Sequence, residues 1–262
     1  MKKHLLFLSI ITVFLSCSSI KSTQEAINIG NYEKAISLAI ENLKKNKTKK
    51  KNQPYVLMLQ EAFKKASERD IKRISFLQKD ANPESLETIY NLYVTLNNRQ
   101  ERIKPLLPLY ILNKNEEVNF NFKSYDDLII QSKNELSKHL YVKAKSLFNS
   151  TNKYDFRTVF EDLEYIDNIN PNYKDVRSLM SEALAIGKDY VFVSMKNETE
   201  KVIPKRLEAD LLNFDTYGLN DLWTVYHSKK DTKIKYDFGL ELSLRSIDVS
   251  PEQVRTGGQR LL

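Results

Sequence analysis

Residues 26–43 read Ala-Ile-Asn-Ile-Gly-Asn-Tyr-Glu-Lys-Ala-Ile-Ser-Leu-Ala-Ile-Glu-Asn-Leu. Ala26 and Ile29, then Ile36, Ala39, Ile40 and Leu43, recur at the spacing of one helix face, and Gly30-Asn31 interrupts the run. Two amphipathic helices joined by a tight turn follow from that pattern. Outward along the chain the same spacing returns in Tyr55, Leu57, Leu59, Ala62, Phe63 and Ala66. It returns again in Leu86, Ile89, Tyr90, Leu92, Tyr93 and Leu96, behind the helix-start signal Asn82-Pro83-Glu84. Pro105 and Pro108 break the pattern, and residues 113–124 read as a loop. Helices are expected over 125–149, 154–169 and 173–185, with Gly187 as a C-cap.

At Asp189 the texture changes. Tyr190-Val191-Phe192-Val193 is a continuous apolar run, as in a strand buried on both faces. Pro204 opens a short helix with the stripe Ile203, Leu207, Leu211 and Phe214, and Gly218-Leu219-Asn220 is a turn. Leu222 to Tyr226 is strand-like, and Ser228 to Asp231 reads as a hairpin loop. Ile234, Tyr236, Phe238, Leu240, Leu242 and Leu244 then alternate with polar residues, which predicts a strand with one buried face. Ile247 and Val249 fall out of phase, so a bulge is expected near Arg245-Ser246. The fold class is therefore mainly α with a C-terminal α+β part: helical hairpins over 22–187, then a small β-α-β-β module over 188–250. Residues 251–262 form a tail whose Thr256-Gly257-Gly258-Gln259 signals a turn. Too few residues follow it for a returning strand, so the expectation is either a truncated hairpin or a last strand that pairs in trans.

Composition narrows the class. The chain has 262 residues, 41% apolar and 29% charged, with only 6 Gly and 7 Pro, which excludes disordered and collagen-like chains. Its single cysteine excludes an internal disulfide framework and a Cys-rich zinc site. Lys2 and Lys3 precede an apolar stretch from Leu5 to Leu15, broken only by Ser9 and Thr12. That stretch is too short to span a bilayer and of the length of a signal-peptide core. Phe14-Leu15-Ser16-Cys17 closes it.

That tetrapeptide resembles the lipobox of bacterial lipoproteins. The resemblance implies a signal peptide over 1–16, lipid modification of Cys17 with acyl chains such as palmitate, and a tether over 17–21. Ser18 and Ser19 follow, with no aspartate to suggest inner-membrane retention. The expected location is the outer membrane, lipid-anchored and facing the periplasm.

The charge is local. Removing Lys2 and Lys3 takes the formal +7 to +5, and leaving out Lys44, Lys45, Lys47, Lys49, Lys50 and Lys51 takes it to −1. The run has no interleaved aromatic residue for base stacking, so nucleic acid is not an expected partner. It reads as a solvated helix end, with contact to an anionic lipid surface as the alternative.

Two stretches resemble tetratricopeptide (TPR) repeats, which pair helices in units of about 34 residues. One is Gly30-Asn31-Tyr32-Glu33-Lys34-Ala35: the resemblance implies that Gly30 makes the tight turn, Tyr32 fills the gap between helices and Ala35 allows close approach. The other runs from Ala144 through Lys153-Tyr154-Asp155-Phe156-Arg157 to Asn170-Pro171-Asn172-Tyr173, with Phe156 in the aromatic slot relative to Pro171.

Chemistry finds little footing. His139 and His227 have no partner at metal-ligand spacing, and no nucleophile elbow, P-loop or dinucleotide fingerprint occurs. Glu161, Asp162 and Glu164, like Asp126-Asp127, read as helix-dipole partners. No catalytic residue, metal ligand or cofactor is expected. The whole resembles TPR-containing outer-membrane lipoproteins of Gram-negative bacteria, which implies a scaffold that binds another envelope protein through its helical hairpins. The alternatives are a glycan- or lipid-binding lipoprotein and an accessory of outer-membrane protein assembly.

Overall fold

The Gly30-Asn31 pair ends one helix and begins the next. In the computed structural model, which describes residues 19–213, 218 and 220–247, residues 19–28 are helical (α1). Gly30 sits at φ +77°, its N–H donates to Ile27 C=O, and Asn31 N–H donates to Ala26 C=O. These are the two bonds of a Schellman closure, whose left-handed residue glycine adopts without strain. Asn31 Oδ1 then accepts from Lys34 N–H and caps α2 (Tyr32–Lys45). Ile29, assigned to the apolar stripe, belongs to this turn and is 77% exposed.

Two compact units follow, one running to His139 and the other from Leu140. In the first, α2 leads through a 3-10 turn (Lys50–Asn52) into α3 (Gln53–Asp80), with Pro54 in its first turn. After α3, Ala81 adopts a left-handed φ of 50°. Next comes α4 (Leu86–Ile103), capped through a short turn by Asn82. The expected loop over 113–124 is more ordered than its composition suggests. It contains the return strand of a small antiparallel hairpin, β1 (Tyr110–Ile111) with β2 (Glu116–Glu117), and then an extended strip. One core gathers Ala26, Ala35, Ile36, Ala39, Leu43, Tyr55, Leu59, Ala62 and Ile103 against Leu109, Val118 and Phe120. Each fully buried large side chain there contributes roughly 1.5–3 kcal/mol of transfer free energy. A second core joins Ile74 and Leu77 of α3 to Ile89, Tyr93 and Leu96 of α4 and to Tyr125. Helix α5 (Asp126–Leu147) follows, and the boundary between the units falls within it.

In the second unit, α6 (Lys153–Ile169) and α7 (Val176–Gly187) form a helical hairpin around Phe156, Val159, Leu163, Ile166, Val176 and Ala183. Phe156 packs edge-on against Phe148 with ring centroids 5.7 Å apart. Pro171 opens the connecting turn and is exposed. Gly187 ends α7, but its φ is not in the left-handed region. A Cβ there would stand 2.8 Å from the Trp223 ring. This glycine permits close packing, which corrects the C-cap reading.

A three-stranded sheet completes the unit: β3 (Asp189–Asn197) at the centre, β4 (Thr224–His227) on one side and β5 (Phe238–Leu244) on the other. A short helix, α8 (Lys205–Leu211), lies between β3 and β4 in sequence. The chain is thus mainly helical with a C-terminal mixed part, as the sequence pattern indicates. The hairpin read at Ser228–Asp231 is overturned, because β4 and β5 both pair parallel with β3 and not with each other. The crossing is possible over the ten residues 228–237 because β4 runs beside Asp189–Phe192 and β5 begins beside Val191. The chain need not travel back along a full strand, as parallel connections usually must.

The buried face of β5 also differs. Phe238 is 59% and Leu240 36% exposed, while Leu242 is half-buried. Leu212, just past α8, clusters with Val191 and Val193 of the central strand, with Met195, Tyr226 and Leu242 packed partly against it. The other face of β3 is half-buried, under a ring cluster of Tyr190, Phe192, His227 and Tyr236. The expected bulge is not seen at Arg245-Ser246, where β5 has already ended; Val249 and the terminal turn lie outside the described residues. Among the described residues, no helix is long and apolar enough to cross a membrane.

Candidate functional site

Helix α3 buries one face in the first unit and presents another. Tyr55, Val56, Leu59, Ala62, Phe63 and Ala66 turn inward. Leu57, Gln60, Lys64, Ser67 and Ile71, spaced by three and four, line an open groove of about 650 Å³. The opposite wall is the extended strip Asn119, Phe120, Asn121, Lys123 and Tyr125. Leu57, read from sequence as a core residue, is exposed at the groove's end.

The strip is held without a strand partner. Gln60 Nε2 donates to Asn119 C=O at 3.0 Å. The buried Gln100 of α4 donates Nε2 to Lys123 C=O at 2.8 Å and accepts Lys123 N–H on Oε1 at 2.7 Å. One side-chain amide therefore does for Lys123 what a neighbouring strand would do, satisfying both backbone groups. Phe63 meets Phe120 and Phe122 edge-on at 5.6 and 5.5 Å, and the latter two stack at 5.7 Å. Of these rings, Phe63 and Phe120 line the groove and give it an aromatic floor, rimmed by Glu61, Glu68, Lys64 and Lys123.

Beneath the groove lies a buried charge network. Arg99 of α4 donates Nη2 to Asp70 at 2.5 Å and Nε to Glu33 at 2.7 Å, and its Nη1 reaches Ser67 Oγ at 3.4 Å. It joins α2, α3 and α4 in one constellation, and Ser67 is itself a groove residue. Burial holds the Tyr125 hydroxyl above its usual range, against the nearby Arg99 charge, so Tyr125 stays a neutral phenol. The lining contains neither histidine nor cysteine. It offers apolar surface, amides, hydroxyls, and charges of both signs.

The residues singled out from sequence occupy other places. Gly30 makes the α1–α2 turn, and Tyr32 and Ala35 lie in the first turn of α2: Ala35 is fully buried, and the Arg69 guanidinium lies 5.4 Å above the Tyr32 ring and also reaches Gly30 C=O. Phe156 and Pro171 belong to the α6–α7 hairpin of the second unit. Of the six lysines, Lys45 pairs with Glu41 at 2.9 Å. Lys47 donates to the carbonyls of Leu106 and Leu107. Lys44, Lys49, Lys50 and Lys51 are exposed. Cys17 lies outside the described residues.

His139 Nε2 stands 3.8 Å from Glu84, and His227 Nδ1 lies 3.0 Å from the Tyr236 hydroxyl. Asp162 pairs with Lys143, and Asp126 accepts from Ser124 Oγ. Among the described residues, no three His, Cys, Asp or Glu side chains are grouped to hold a metal ion. The groove itself went unread in the sequence. Its one signal was the alternation of Val118, Phe120 and Phe122 with Asn119 and Asn121. No protein-family model, curated protein or solved structure matches this chain.

Proposed function

We propose that the protein is a lipid-anchored envelope scaffold. Cys17 carries the acyl chains, and the first helical unit holds a segment of another envelope protein in the α3 groove. The groove carries this reading. It is open, its floor is aromatic, and its rim offers Lys64 and Lys123 beside Glu61 and Glu68. An aromatic-anchored groove with a mixed polar rim suits a peptide segment whose side chains alternate between burial and solvent. The helical hairpins around Gly30-Asn31 and Pro171 fit the resemblance to TPR lipoproteins, which bind partners on helix faces.

A photoreactive residue at Leu57 or Ile71 tests the reading in native envelopes. One discrete adduct is expected from both positions and none from an exposed control position such as Val202 of the second unit. Lys64→Glu combined with Lys123→Glu should weaken that adduct. Adducts indistinguishable from those at Val202 would overturn the groove as a docking site. The same aromatic floor also suits a sugar ring or an acyl chain. A small glycan or lipid recovered at Ile71, with no protein adduct, would favour that second reading.

A further inference from the structure

We infer that the lysine end of the first unit, with the hairpin tip beside it, is the face that lies against an anionic lipid surface. Its orientation rests on the proposed lipidation of Cys17. The juxtaposition that carries the inference joins residues far apart in sequence. Asn42, in the last turns of α2, donates Nδ2 to Ser19 Oγ at 3.2 Å. Buried Asn52 in turn donates to the carbonyls of Asn42 and Asn46, fastening the Lys50–Asn52 turn to the end of α2. The start of the described chain and the lysine run therefore share one end of the unit. In the sequence, Cys17 is two residues before Ser19.

A second contact adds an apolar element to this end. The backbone N–H of Leu112, in the β1–β2 turn, donates to Gln53 Oε1 at 2.9 Å, and Gln53 directly follows Asn52. Leu112 is 46% exposed, and Lys114 sits in the same turn. Lys47 ties its loop to the carbonyls of Leu106 and Leu107, just ahead of that hairpin. The charged groups here are Lys44, Lys49, Lys50, Lys51 and Lys114, against Glu116 and Glu117 on the returning strand and the Glu41–Lys45 pair.

Lysines grouped around an exposed leucine suit a headgroup layer, where the ammonium groups meet phosphates and the leucine reaches the acyl boundary. Acyl chains on Cys17 would hold this end at the bilayer, and the lysines would set which face turns toward it. The groove, built from other parts of α3 and the strip after β2, would stay available to a partner.

The test uses the mature chain carrying Cys17→Ser, so that the protein surface is read without acyl chains. Binding is measured by co-sedimentation with phosphatidylethanolamine vesicles containing about 30 mol % phosphatidylglycerol, and with neutral phosphatidylcholine vesicles. The chain should bind the anionic vesicles and not the neutral ones, and lose that binding as salt rises from about 0.05 M to about 0.5 M. Replacing Lys44, Lys49, Lys50 and Lys51 by Gln should weaken it roughly tenfold or more. Leu112→Asn should weaken it by a smaller factor. Equal binding to both vesicle types, no binding to either, or a quadruple variant that binds like the parent chain would overturn the inference. The salt series needs no change to the lysines or to Leu112, so misfolding of those variants does not enter it. Lipidation and groove binding are read by separate experiments, so this inference can fail while they stand.

Discussion

Arg99 and Asp70 form a charged pair sealed inside the first unit, the arginine being 1% exposed. Glu33 completes the guanidinium's set of partners, and Ser67 carries the contact to the groove. Removing one member of a buried ion network strands the others in low dielectric. Arg99→Leu should therefore cost about 3–5 kcal/mol in urea unfolding. The double variant Arg99→Met, Asp70→Leu should recover part of that loss, because it removes both charges of the closest pair. Equal losses in the single and double variants would show that the pair is not the source of the cost.

Gly187 lies beneath the only tryptophan of the chain. Gly187→Ala places a methyl group 2.8 Å from the Trp223 ring, with Arg157 stacked on that ring at 5.4 Å. Overpacking of this kind costs typically about 1–3 kcal/mol. The variant should melt earlier with altered Trp223 fluorescence, and Trp223→Leu should relieve much of the added cost. An unchanged melting temperature would remove the packing account of this glycine.

Asp237 fastens the start of β5. Burial pushes its carboxyl up, but hydrogen bonds from the Lys153 ammonium and the Tyr190 N–H outweigh that, and its pKa lies below the ordinary value. A carboxylate lowered in the folded state contributes stability above its unfolded pKa of about 4, and that contribution is lost as pH falls through the lower folded value. Acid titration followed by Trp223 fluorescence should show this loss below about pH 4. Asp237→Asn should cost about 1–2 kcal/mol at neutral pH and flatten the acid limb. An acid limb identical in Asp237→Asn and the parent would contradict the assignment.

What the sequence revealed depended on how local the deciding contacts are. Gly30-Asn31 was legible because its closure and cap lie within a few residues: Asn31 to Ala26 on one side and Lys34 on the other. The six lysines looked uniform, yet Lys47 is held by carbonyls nearly sixty residues away. The parallel pairing of β4 and β5 was hidden because both strands answer to β3, and alternation reveals a face but not a partner. Phe238 and Leu240 alternate correctly but stay exposed, since pattern alone does not say whether anything packs above a strand. The groove strip was missed because the amide that replaces its strand partner belongs to Gln100, in an unrelated helix.

The proposed lipidation of Cys17 would fix where this protein meets a partner and would give meaning to the lysine end beside Ser19. Mass spectrometry of the N-terminal peptide, from protein purified out of the membranes of its own host, tests it most directly. The expected spectrum shows Cys17 as the first residue, carrying a diacylglyceryl thioether. A peptide that begins elsewhere, or a Cys17 with a free thiol, would contradict the account.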